Sequence, residues 1–164
     1  MLIRSAYRGE SSRAGWTSEA HLLEGDRIHD EQVLELITSP GSLVVVAEAV
    51  TQAGRPGELT GCCHLADLGN GRAYFGTFAV SPARQSAGLG GRLMAEAERL
   101  AVAAFGAREL ELAALSPQEK LIAWYERLGF VPTGERKPFP GHPVFARPTQ
   151  DDLDLVTMVK PLDR

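Results

Sequence analysis

Apolar and polar positions change period several times along the chain, and each change marks an element. Leu43 to Val50 is apolar on both faces until Glu48, as in a strand covered on two sides. Leu59 to Asp67 and Tyr74 to Val80 are two further strand-like runs. Gly54 and Pro56-Gly57 punctuate the first junction, and Gly69-Asn70-Gly71 is a hairpin signal at the second. Three strands joined by short turns predict an antiparallel meander. The period then becomes helical: Leu89, Leu93, Ala97, Leu100, Ala101 and Ala104 share one face, with Arg92, Glu96 and Arg99 on another. Phe105-Gly106 closes this helix. Glu109 to Leu115 follows as a strand that returns through a helical crossover, so it should run parallel to Tyr74–Val80.

Elsewhere the signals are shorter. Leu2, Ile3, Ala6 and Tyr7 read as the end of a helix. Thr17 or Ser18 is placed to cap a short helix carrying Ala20, Leu22 and Leu23. Asp30 is placed to cap another, with Val33, Leu34 and Ile37 facing inward and Pro40-Gly41 ending it. Ser116-Pro117-Gln118-Glu119 has the form of a capping box before Leu121, Ile122, Trp124, Tyr125 and Leu128, with Gly129 as terminator. Phe130-Val131-Pro132 opens a strand, 137–148 reads as an ordered aromatic loop, and Leu153 to Val159 alternates as the last strand. The expected fold is mixed α/β, a single domain over 1–164 with helices on both faces of a central sheet.

Composition narrows the function classes. The 164 residues suit one domain with a full core. A formal charge of −4 argues against a general nucleic-acid binder. No run approaches membrane-spanning length and no signal peptide opens the chain, so the expected location is the cytoplasm. Cys62 and Cys63 are adjacent, which disfavours a disulfide; one should face the core and the other outward. No metal-ligand spacing is present.

The chemistry concentrates between Val80 and the long helix. Gln85-x-x-Gly88-x-Gly90-Gly91 bares backbone where a Cβ would collide with a ligand. The first amides of a helix lack internal partners and carry roughly half a positive charge, so this turn suits a phosphate or pyrophosphate. Arg84 and Arg92 add formal charge beside it. A tight turn with no ligand fits the same glycines. The spacing is neither G-x-G-x-x-G nor that of a P-loop.

Strand, Val80-x-Pro82, then Gln85-x-x-Gly88-x-Gly90 and a helix resembles the acetyl-CoA loop of the GNAT family of N-acetyltransferases. Tyr125-x-x-x-Gly129-Phe130 resembles that family's second signature. The resemblance implies an acetyl-CoA-dependent enzyme that moves an acetyl group directly to a primary amine of a small molecule or peptide, with no metal. It implies donor contacts at Phe78, Ala79, Val80, Arg84, Gln85, Ser86, Ala87, Gly88, Leu89, Gly90, Gly91, Arg92 and Ser116, in a V opened between the two parallel strands. Tyr125 is the implied acid, delivering a proton to the departing thiolate. A base is less marked: Glu111 is first by position, Glu48 and His64 are second choices, and a water wire is equally open. Trp16, His21, Glu24, Arg27 and His29 are candidates to line the acceptor pocket, with Phe139, His142 and Phe145 on a loop near it. Against the family pattern the first strand and the start of the first helix are expected to be missing. The exposed strand edge this leaves predicts a homodimer or a swapped element. A non-catalytic acyl-CoA sensor, or a nucleotide-binding module using the same turn, are the alternatives.

Overall fold

The computed structural model of the chain describes residues 2–8, 12–13, 15, 18–25, 28–50, 55–85, 87–140, 146–149 and 152–163. Helix α1 is Leu2–Tyr7, followed by a two-residue strand β1, Leu23–Glu24, and helix α2, Asp30–Thr38. Strands β2 (Ser42–Val50), β3 (Pro56–Gly69) and β4 (Arg72–Val80) form the meander. Helix α3 is Leu89–Phe105, β5 Glu109–Leu115, α4 Glu119–Arg127, β6 Val131–Pro138, β7 Arg147–Pro148 and β8 Asp154–Pro161. Six strands make the main sheet in the order β2-β3-β4-β5-β8-β6, while β1 pairs with β7 apart from it. β4 and β5 are parallel and the other neighbours antiparallel.

Local chemistry accounts for the joints. Asn70 (φ 55°) and Gly71 (φ 75°) are both left-handed, as a two-residue hairpin turn matched to strand twist requires. α3 ends on Gly106, also left-handed, whose N–H bonds the Val102 carbonyl. The main core lies between the sheet and α3 and α4: Leu93, Met94, Ala97, Ala101 and Tyr125 pack on Cys63, Leu65, Phe75, Leu110, Leu112 and Met158. On the opposite sheet face Ala6 and Tyr7 of α1 cover Cys62 and Ala79.

Several expectations change here. Both cysteines are buried, one under each helical layer; alternation along β3 separates them, but α1 closes the second face. Burial pushes the Cys62 thiol to about 11 and the Cys63 thiol to about 12. Ala20 to Leu22 form a turn and Leu23 enters β1, so Ser18 caps no helix over these residues, and Thr17 lies outside the described residues. In α2 it is Val33 and Leu36 that are half-buried, while Leu34 and Ile37 are 60% and 56% exposed. The turn begun at Ser116 starts its helix only at Glu119, and Ser116 donates instead to the Asp154 carboxylate. That bond, then Arg136, holds Asp154 below its ordinary range. The last strand inserts between β5 and β6, and β6 becomes an exposed edge.

His64 on β3 is buried, its Nε2 2.8 Å from the Ser42 hydroxyl. Desolvation lowers its pKa below the ordinary 6.5. Between the folded and unfolded values the unfolded chain binds more protons, so stability is complete above about pH 6.5 and falls as pH drops below it. The urea midpoint of the native protein should therefore fall more between about pH 7.5 and about pH 5 than that of His64→Gln. Equal falls in the two proteins would show that His64 is not the source.

Candidate active site

The parallel pair holds for three rungs only, Arg72↔Glu109, Ala73↔Leu110 and Tyr74↔Glu111. Beyond Tyr74 the strands part. The cause lies on the far side of β4, where the pairing with β3 jumps from His64↔Gly76 to Cys62↔Ala79. Two residues of β4, Thr77 and Phe78, thus face the single Cys63, which is a β-bulge. Thr77 sits at φ 46°, a left-handed conformation that costs a β-branched residue about 1–3 kcal/mol. The bulge bends β4, and a V opens between Phe78–Val80 and the end of β5.

At the wide end of the V, the chain leaves β4 through a single 3₁₀ turn, Pro82–Arg84. Gln85 donates its side-chain N–H to the Val80 carbonyl at 3.2 Å, and Gly88 (φ 76°) starts α3. No side chain caps this helix. The amides of Leu89, Gly90 and Gly91 therefore keep their donor capacity for a ligand. Arg84, Ala87, Gly88 and Arg92 are exposed around them and Leu89 is half-buried. Ser86 lies outside the described residues. At Gly90 a Cβ would stand 3.4 Å from the Phe78 ring and 3.5 Å from the Trp124 ring.

A cavity of about 270 Å³ occupies this space, lined by Gly88, Gly90, Gly91, Gln85, Val80, Phe78, Trp124, Leu121, Tyr125 and Tyr7. A second, of about 170 Å³, lies farther along the V, with Arg8, Glu19, Tyr74, Gln118 and Phe139 among its walls. Tyr7, Phe78, Leu121 and Tyr125 belong to both. The cradle of bare glycine backbone and uncapped helix amides fits a phosphate-bearing carrier, and the rest of the first cavity, along Phe78 and Val80 to Tyr125, fits that carrier's arm.

Tyr125 stands at the junction. It is 6% exposed, with its ring edge-on to Trp124 (5.2 Å between centroids) and to Phe130 (5.7 Å). Trp124 stacks in turn on Phe78 at 5.7 Å. This packing fixes the orientation of the phenol. Burial lifts its pKa well above the ordinary 10, and the nearby Tyr7, Tyr74, Glu19 and Cys63 add to the lift. The group is protonated at neutral pH.

The model of the acetyltransferase (GNAT) family matches residues 7–130, three quarters of the chain, and spans both the loop and the junction tyrosine. The chain belongs to that family. The family uses acetyl-CoA, and this GNAT acetyltransferase shares its fold with solved members at low identity. A protein assigned as a phosphinothricin N-acetyltransferase is 19% identical with a TM-score of 0.66, over 89% of this chain and 86% of its own. The spermidine N-acetyltransferase of Vibrio cholerae, solved with CoA and spermine, is 18% identical with a TM-score of 0.62, over 81% and 73%. The IAA acetyltransferase of Bacillus cereus ATCC 14579 is 17% identical with a TM-score of 0.62, over 82% and 85%. Among curated proteins none matches the chain in sequence.

Within this GNAT chain the candidates separate into two groups. Tyr125, Phe78, Val80, Gln85, Gly88, Gly90 and Gly91 line the first cavity, and Ala79 is buried between Phe78 and Val80. The base candidates do not gather there. Glu111 lies on the last rung of the parallel pair with its carboxylate 3.4 Å from Arg72, and it lines neither cavity. Glu48 is exposed on the edge strand β2, and His64 is buried against Ser42. Ser116 faces away from the cleft, beside Glu119 and Arg136. Glu24 pairs with Arg147 across the small sheet, His21 is exposed and His29 precedes α2. Phe139 does line the second cavity. Trp16, Arg27, His142 and Phe145 lie outside the described residues.

Sequence reasoning passed over two groups that stand in the cleft. Tyr7 donates its hydroxyl to the Phe78 carbonyl. Arg8 and Glu19 form an ion pair at 3.1 Å, with side chains 7% and 12% exposed, in the wall of the second cavity. Neither has a local spacing that marks it.

No helix among the described residues is long and apolar enough to cross a membrane. Among the described residues, no group of three or more His, Cys, Asp or Glu is placed to hold a metal.

Proposed function

We propose that the protein, as one domain over 1–164, transfers the acetyl group of acetyl-CoA directly to a primary amine of a small molecule or peptide. The observation that carries this reading is the meeting of two cavities at one buried phenol. A sensor of acyl-CoA needs the first cavity alone; an enzyme needs a second one opening on the reacting carbon. The amides of Leu89 to Gly91, with Arg84 and Arg92, receive the phosphates. Backbone between Phe78 and Val80 orients the arm and polarises the carbonyl as charge grows on its oxygen. Tyr125 supplies the proton that the departing sulfur requires. The amine loses one proton and the thiol gains one, so no covalent enzyme intermediate is needed. Both cysteines are buried with raised pKa values and do not serve as nucleophiles. β2 is left as an edge with Val46 and Val50 exposed, which supports a homodimer that covers it.

Acetyl-CoA should raise the melting temperature of the protein while ATP and NAD leave it unchanged. Thiol release should then depend on an added amine. Stabilisation by ATP or NAD, with none by acetyl-CoA, would overturn the donor assignment. Stabilisation by acetyl-CoA with no amine-dependent release across a broad panel would leave a binding protein.

A further inference from the structure

Resting on the acetyl-transfer reading above, we propose that the acceptor is a compact monoamine with an apolar body about one ring in size and no second charge, its N–H held by the Glu19 carboxylate. Three observations carry this. The acceptor-side cavity is about 170 Å³. That is close to the ~150 Å³ apolar cavity known to take up benzene in another protein. Its walls set the rings of Tyr74, Phe78 and Phe139 and the aliphatic Leu23 and Leu155 beside the polar Arg8, Glu19, Thr77 and Gln118, so an apolar body has apolar company on part of the wall and its amine has polar company on the rest.

Charge supplies the second observation. Among the described lining residues the formally charged ones are Arg8 and Glu19. They are joined at 3.1 Å and nearly buried, so this wall is neutral as a pair. A charge brought into such a place without a counter-charge is costly. The attacking form of an amine is neutral and leaves the balance intact. A polyamine carries in a further ammonium that no second carboxylate among the described lining residues meets. An α-amino acid carries in a carboxylate that would have to share Arg8 with Glu19.

Position is the third. Glu19 and Tyr125 line the same cavity, and the Glu19 charge is close enough to contribute to the lift of the phenol. An amine nitrogen held by Glu19 is thereby kept on the side of the cleft where the thioester carbon must lie. Glu19 is joined to Arg8 at 3.1 Å, and a carboxylate in such a pair keeps lone pairs that accept an N–H bond.

The test uses the native protein at saturating acetyl-CoA, with thiol release measured for 2-phenylethylamine, spermidine and free phenylalanine. The value of kcat/KM for 2-phenylethylamine should exceed each of the others by about a hundredfold or more. A value for spermidine or phenylalanine equal to or above it would overturn the proposal. Glu19→Gln should raise KM for 2-phenylethylamine about tenfold with acetyl-CoA affinity unchanged. Should that variant strand the Arg8 charge and unfold, the joint change Arg8→Met with Glu19→Met removes both charges together and reads the same quantity. An unchanged KM in the folded variant would remove Glu19 from the site. Failure of acetyl-CoA to bind would sink the donor assignment and this proposal with it. Binding of acetyl-CoA with none of the three amines acetylated would sink the acceptor class alone.

Discussion

Gly90→Asp is expected to weaken acetyl-CoA binding by about a hundredfold or more while leaving the fold as stable as before. Gly90 is the second residue of α3, where the helix amides are unpaired and the ligand phosphates are proposed to sit. A Cβ there already touches the Phe78 and Trp124 rings at 3.4 and 3.5 Å, so a longer side chain must enter the donor cavity. Its carboxylate would then occupy the helix N-terminus in place of the phosphate and repel it. The same carboxylate favours the helix, by about 0.3–1 kcal/mol from the dipole. Loss of binding therefore cannot be laid to unfolding. Gly90→Ala separates bulk from charge: contact at 3.4 Å is ordinary van der Waals distance, so the loss should be about tenfold or less. Calorimetric titration with acetyl-CoA, beside a melting curve for each variant, reads both quantities. Wild-type affinity in the Asp variant would remove this turn from the donor site.

The features legible in the sequence were those whose causes are local. Gly69-Asn70-Gly71 demanded a hairpin because only such residues accept the turn's left-handed backbone, and the hairpin is there. The crossover after α3 demanded a parallel partner for β4, and β5 is that partner. Ser116 misled because its hydroxyl, instead of accepting an N–H of its own helix, donates to Asp154, 38 residues away, on a strand whose place in the sheet no local pattern reveals. Glu111 was selected as an acid on the right strand, and alternation puts it on the face of Ala113 and Leu115, which line the second cavity; but it sits on the last closed rung of the parallel pair, joined to Arg72, outside both cavities. The Arg8–Glu19 pair was invisible for the converse reason. Each residue reads alone as a solvated charge, and only tertiary folding buries them together. Local chemistry thus specified the glycine turn before α3, whereas the wall that holds Arg8 and Glu19 is assembled from separate segments that meet only in three dimensions.

Tyr125→Phe should lower kcat by about a hundredfold with acetyl-CoA affinity within about twofold of the native value. The substitution keeps the ring that packs edge-on against Trp124 and Phe130, so the junction keeps its shape. What it removes is the proposed proton source for the sulfur. Without it the thiolate must leave unprotonated or wait for water to reach a buried position. The pH profile adds a second check. Because burial holds the phenol well above 10, Tyr125 stays protonated through the range in which the amine loses its proton. In the native protein kcat/KM should rise with pH until the amine is neutral, and should not turn down near pH 9. Tyr125→Phe should show the same rise at a lower level, since the ionising group is the amine in both. Unchanged kcat in the variant would end the role of Tyr125 as acid. A downturn near pH 9 that disappears in the variant would show a phenol titrating far below the value its burial demands, and the cleft would then have to be wetter than its packing allows.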